Sequence, residues 1–152
     1  MCQADGRYRM GQPLSAFWRI GKIAPEVVID GLEASVMWYT EGKGDEDLNV
    51  HHFRRWSDAQ LKELDLGQAY GFQCALPLTP LSYEGTLVRI RWCVRVRLFC
   101  SVGRDSVVQV PFQLISDAVP GAMSSRIAEA PSGTHQVELV AGPGDVVGRS
   151  LL

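Results

Sequence analysis

Long apolar runs are missing from this chain. The longest uninterrupted hydrophobic stretches are a handful of residues, far short of the ~20 that cross a bilayer as a helix. The first ten residues, Met1 to Met10, are polar and carry Arg7 and Arg9, so no secretory leader is expected and the reading is of a cytoplasmic protein without membrane insertion. Cysteine is sparse and unpatterned: Cys2, Cys74, Cys93 and Cys100 include no Cys-x-x-Cys spacing, and free, mostly buried thiols are expected. An excess of either charge is also missing. Lys plus Arg number 15 against 17 Asp plus Glu, a formal net charge of -2, which excludes a globally basic nucleic-acid binder and an acidic tail protein. With 46% hydrophobic and 21% charged residues, disorder is excluded as well.

Catalytic signatures are absent in the same way. There is no Gly-x-Ser-x-Gly elbow, no Walker loop and no His-Glu-x-x-His pattern. The run Gly142-Pro143-Gly144-Asp145-Val146-Val147-Gly148 has the wrong spacing for a dinucleotide loop, and only four residues follow it where a helix would have to begin. No cofactor is expected, and the chain reads as a non-enzyme. Helical periodicity is scarce too: Ser57 followed three residues later by Gln60 forms a capping box for one or two turns ahead of Leu61 and Leu64, and nothing else is helical for long.

What is present is alternation. From Thr86 to Cys100 the even positions hold Val88, Ile90, Trp92, Val94, Val96, Leu98 and Cys100, while Arg89, Arg91, Arg95 and Arg97 stand among the odd ones. A 3.6-residue period would drive arginines into a core, so this is a long strand with one buried face. The same pattern predicts strands over Val27 to Glu41, with a break or bulge at Asp30-Gly31, and over Val50 to Trp56, Tyr70 to Leu76 and Ser106 to Ile115. Val102-Gly103-Arg104-Asp105 reads as a hairpin turn, and Pro111, lacking an N–H, requires an edge or a bulge at its position. About seven short strands with Gly- and Pro-rich turns in 152 residues predict one all-β domain, an immunoglobulin-like antiparallel β-sandwich. Residues 1–115 form its body, and residues 116–152 add a linker-like loop to 133, a weak strand over Thr134 to Ala141 and a tail completing the same domain.

Two constellations carry chemistry. Arg89 with Arg91, and Arg95 with Arg97, stand in two pairs ~6.6 Å apart on one strand face, where like charges require compensation. They are met either by carboxylates such as Glu33 and Glu41 across the sheet or by an acidic or phosphorylated segment of a protein partner. The second is the hairpin Asp45 to His52. A divalent cation there could use one histidine with two of Glu41, Asp45, Glu46 and Asp47, although adjacent His51 and His52 on a regular strand point to opposite faces.

Tyr8-Arg9-Met10-Gly11-Gln12-Pro13-Leu14 through Trp18-Arg19-Ile20 is similar to a Tyr-x-x-Gly turn with its following strand in the arrestin-like family. Tyr70-Gly71-Phe72-Gln73-Cys74-Ala75-Leu76-Pro77, then Pro80-Leu81-Ser82-Tyr83-Glu84-Gly85, then Val88 to Val96, resembles that family's Phe-rich strand, Pro-x-Ser turn and long central strand, and Pro111-Phe112-Gln113-Leu114 resembles its closing strand. Trp38 to Asp47 resembles a stretch of bacterial single-domain versions. The resemblance covers residues 8 to 115 and implies an arrestin-type domain with an adaptor or scaffold role. The receptor-arresting residues are not matched. The leading expectation is therefore a protein-binding module using the arginine face or a sheet edge. A metal-dependent binding or hydrolytic module on the Asp45 to His52 hairpin is the alternative, and an oligomer formed by edge pairing is a third reading.

Overall fold

The computed structural model describes residues 6–65, 67–116, 133–141 and 149–151, the last two stretches by their backbone. Cys2, most of the loop expected over residues 116–133 and the Gly142 to Gly148 run lie outside the described residues. The chain is mostly β. In order, its elements are β1 (Arg7–Arg9), β2 (Pro13–Ile23), β3 (Val28–Gly42), β4 (Leu48–Ser57), α1 (Asp58–Lys62), β5 (Tyr70–Ala75), β6 (Tyr83–Glu84), β7 (Val88–Val102), β8 (Ser106–Ile115), β9 (Gly133–Ala141) and β10 (Arg149–Leu151).

These strands form two sheets. One has the order β1-β8-β7-β3-β4, with β6 added to β7, and the other has the order β10-β9-β2-β5. A single core lies between them. Leu14, Ala16, Trp18 and Ile20 of β2 and Phe72 of β5 meet Leu32, Ala34 and Val36 of β3 and Trp92, Val94, Val96 and Leu98 of β7. In β8 the alternation is complete, with Ser106, Val108, Val110, Phe112 and Leu114 all buried. Aromatic rings pack across and within the layers: Trp18 of β2 meets Trp56 of β4 across the two sheets, edge-on with centroids 5.2 Å apart, and Trp92 lies 5.8 Å from Phe112, its neighbour in the same sheet.

The antiparallel expectation needs one correction, because both sheets are mixed. β1 runs parallel to β8, and β2 runs parallel to β9. Between β1 and β2, at Met10 to Gln12, the chain leaves one sheet and enters the other through a tight turn. Gly11 takes φ 73° there, its N–H bonds to the Leu76 carbonyl, and the Gln12 N–H bonds to the Arg9 carbonyl.

Local details follow the residue chemistry. Register shifts at Val28/Ile29 and Ile29/Gly31 show the bulge expected at Asp30-Gly31. Pro111 opposes Cys93 of β7, and since β1 pairs only with Gln113 to Ile115, no described strand needs an N–H from Pro111 on its other side. Ser57 caps α1 with the full capping box, its side chain accepting from the Gln60 N–H. Gly103, at φ 102°, turns the β7–β8 hairpin.

Candidate functional site

The outer face of the six-stranded sheet carries the arginine row, and β4 ends that sheet's strand order. Strand register divides this face into rungs. Arg55, Glu33 and Arg97 stand in one rung, Phe53, Ser35 and Arg95 in the next, and Val50, Met37 and Cys93 in a third. Met37, Ser35 and Cys93 are buried although they face outward, because longer side chains stand around them on this face. Burial pushes the Cys93 thiol up to about 11, so at neutral pH it is a thiol and a poor nucleophile. Cys74 is likewise pushed up to about 11 by burial, and Cys74, Cys93 and Cys100 are all free.

Most of the arginine row is already compensated. Glu84 of β6 holds two of its members, with Arg89 Nε 2.7 Å from Oε1 and Arg91 Nη1 2.7 Å from Oε2. Arg91 Nε also donates to Glu41 at 3.2 Å. Arg97 donates from Nη2 to Asp105 at 2.8 Å and lies over the Phe99 ring at 4.5 Å. The guanidinium of Arg97 and a hydrogen bond from the Cys100 N–H hold the Asp105 carboxyl below the usual range. Of the two carboxylates named from sequence, Glu41 joins the row and Glu33 goes to Arg55 at 2.9 Å. Glu84 and Asp105 were not anticipated, because each reaches the row from a different segment, β6 and the β7–β8 hairpin.

Arg95 differs from the other three. Among the described residues no carboxylate meets its side chain, and it lines a shallow pocket of about 140 Å³ with Ser35, Met37, Leu48, Val50 and Phe53. The β4 side of that pocket is strongly apolar and open, with Leu48 56%, Val50 45% and Phe53 54% exposed. A β-bulge produces this strip. Register jumps between Val36 and Met37, which pair with His52 and Val50, so His51 is the extra residue. Leu48, Val50 and Phe53 thereby share the outer face despite the odd spacing of the last two.

The same bulge corrects the expectation for the histidines. His51 and His52 do not point to opposite faces; both turn toward the core side. His51 Nε2 lies 2.7 Å from the Ala75 carbonyl oxygen and its ring stands edge-on to Trp92, while the His52 ring stacks on Phe72 with centroids 4.9 Å apart. They join β4 to β5 across the two sheets, away from the acidic turn, where Asp47 bonds back to Thr40 through both its N–H and its carbonyl. Among the described residues no three His, Cys, Asp or Glu side chains gather as metal ligands.

In the Pro80 to Gly85 turn, Trp92 Nε1 donates to the Pro80 carbonyl at 2.8 Å. The Ser82 hydroxyl accepts from the Leu114 N–H at 2.9 Å, while the Ser82 N–H donates to the Leu114 carbonyl. The turn is thus bonded to both β7 and β8. No described helix is long and apolar enough to cross a membrane. Compared with known proteins, the chain matches no protein-family model and no curated protein.

Proposed function

We propose that this protein is a non-enzymatic adaptor or scaffold, built on an arrestin-like β-sandwich, that binds another protein through the outer face and free edge of its six-stranded sheet. The observation that carries the reading is the open strip Leu48, Val50 and Phe53 beside Arg95, whose guanidinium meets no carboxylate among the described residues. Exposed apolar side chains grouped around one cation, next to a strand edge, are what a protein partner covers. The arrestin-like part of the reading is supported by the two sheets around one core and by the Pro80 to Gly85 turn, which occupies its place in the resemblance between β5 and β7. The four-stranded sheet serves as the control surface, since Gln73 on β5 is also exposed.

The test is site-specific photo-crosslinking in cells of origin, with a photoreactive residue in place of Val50 or of Gln73. A discrete protein adduct at Val50 and none at Gln73 is expected. Equal labelling at both positions, or no adduct at Val50, would overturn the proposal.

A further inference from the structure

We infer that the notch above Ser35 receives one carboxylate side chain, an Asp or Glu, from an extended acidic-apolar segment of the partner protein. This rests on the adaptor reading and names the chemistry that its face selects. In the central rung Phe53, Ser35 and Arg95 are direct cross-strand neighbours, so the smallest of the three side chains stands between an aromatic ring and a guanidinium. Adjacent strands are ~4.8 Å apart, which leaves the backbones of Phe53 and Arg95 roughly 10 Å apart with only a hydroxymethyl group between them. That hydroxyl is already engaged within the sheet, with the Arg95 carbonyl at 3.4 Å and the Met37 sulfur at 3.8 Å. The opening above it therefore offers a guanidinium fork on one side and an aromatic ring, with its positive edge, on the other.

Charge bookkeeping across the rungs sets the valence of the guest. Arg55 is matched by Glu33 and Arg97 by Asp105, so among the described residues Arg95 is the single uncompensated charge of this pocket. One carboxylate neutralises it. A phosphoryl group carries about -1.5 to -2 charges at neutral pH, and its excess would face Glu33, which lines the same pocket one rung away. The apolar surroundings are one-sided: Met37 and Val50 occupy the next rung and Leu48 lies beyond, whereas the opposite neighbour is the charged Arg55 and Glu33 rung. In an extended segment, residues two apart share a face at ~6.6 Å, so the guest has a large apolar residue two positions from its carboxylate.

The experiment is an amide-resolved NMR titration of the full chain with peptides Gly-Leu-Ser-Xaa-Ser-Leu-Gly in which Xaa is Glu, Gln or phosphoserine. The expected result is saturable shifts at Ser35, Phe53 and Arg95 with the Glu peptide, at least about fivefold weaker binding for the Gln and phosphoserine peptides, and loss on raising salt from about 50 to about 500 mM. Arg95→Gln abolishes the preference for Glu, Arg95→Lys retains part of it, and Arg104→Gln, on the exposed hairpin, leaves it intact. Equal binding of Glu and Gln peptides, tighter binding of phosphoserine, or no shifts at the notch overturns the inference. The crosslink at Val50 separates the two readings: an adduct that persists undiminished in Arg95→Gln retains the adaptor and removes the carboxylate notch, and the absence of any adduct removes both.

Discussion

Trp92 donates its indole N–H to the carbonyl oxygen of Pro80 at 2.8 Å, joining the central strand to the turn that precedes it. The rest of the ring is enclosed by Phe112 and by the edge of His51. A buried aromatic of this size with a satisfied polar atom is both a packing centre and a fixed point for the backbone. Trp92→Ala is expected to cost roughly 3 to 5 kcal/mol, as large aromatic truncations in cores do. Trp92→Phe keeps much of the packing but leaves the Pro80 carbonyl without its donor, for about 1 to 3 kcal/mol. Urea unfolding midpoints measure both, and a Trp92→Phe protein as destabilised as Trp92→Ala would mean that the bond to Pro80 outweighs the packing.

Glu84 holds Arg89 and Arg91 at once, yet it is a surface residue on a two-residue strand. Exposed ion pairs contribute ~0.2 to 1 kcal/mol each and are screened by salt. Glu84→Gln should therefore lower stability by no more than about 1 to 2 kcal/mol at low ionic strength, with the difference shrinking in about 1 M salt. Thermal unfolding at two salt concentrations tests it. A salt-independent loss would show that Glu84 acts through the backbone of the turn.

Ser57 both ends β4 and caps α1, and its partner Gln60 donates its N–H to the Ser57 hydroxyl and accepts from the Ser57 N–H. Ser57→Ala should cost about 1 kcal/mol. Because the helix is five residues long and buries only Leu61, hydrogen exchange should report the loss as local opening of α1, without faster exchange in β7.

The elements whose residues obey one period were legible in the sequence: the alternation of Ser106 to Ile115, the long strand around Trp92, and the Ser57 to Gln60 box all appear in the structure. The parallel pairings were not legible, since nothing in the residues of β1 or β2 records which sheet each joins after Gly11. The bulge at His51 was equally silent. Val50 and Phe53 break strict alternation, and that irregularity is the only local mark that both belong to the outer face. The arginine row was visible as a row, but its compensation depends on Glu84 and Asp105, whose side chains are brought in by the tertiary fold. The distinction between Arg95 and its three neighbours exists only in three dimensions.

His52 stacks on Phe72 at an interplanar angle of 21°, and its Nε2 is buried without a hydrogen-bond partner among the described residues. Loss of solvent disfavours the imidazolium first, and the nearby His51 and Arg54 oppose a further positive charge, so the His52 pKa lies below its ordinary 6.5 in the folded protein. The unfolded chain therefore binds a proton at a higher pH than the folded one. Above about pH 6.5 neither state is protonated and the native contact is intact. As pH falls below that value the unfolded state takes up a proton that the folded state resists, and stability declines until the pH passes through the lowered folded pKa. His52→Phe keeps an aromatic ring against Phe72 and removes the titration. Its stability should match the wild type near pH 7.5 and fall less steeply between about pH 6.5 and 5, measured as urea midpoints across that range. Parallel pH profiles for the two proteins would exclude His52 as the group that loosens the contact between β4 and β5 in acid.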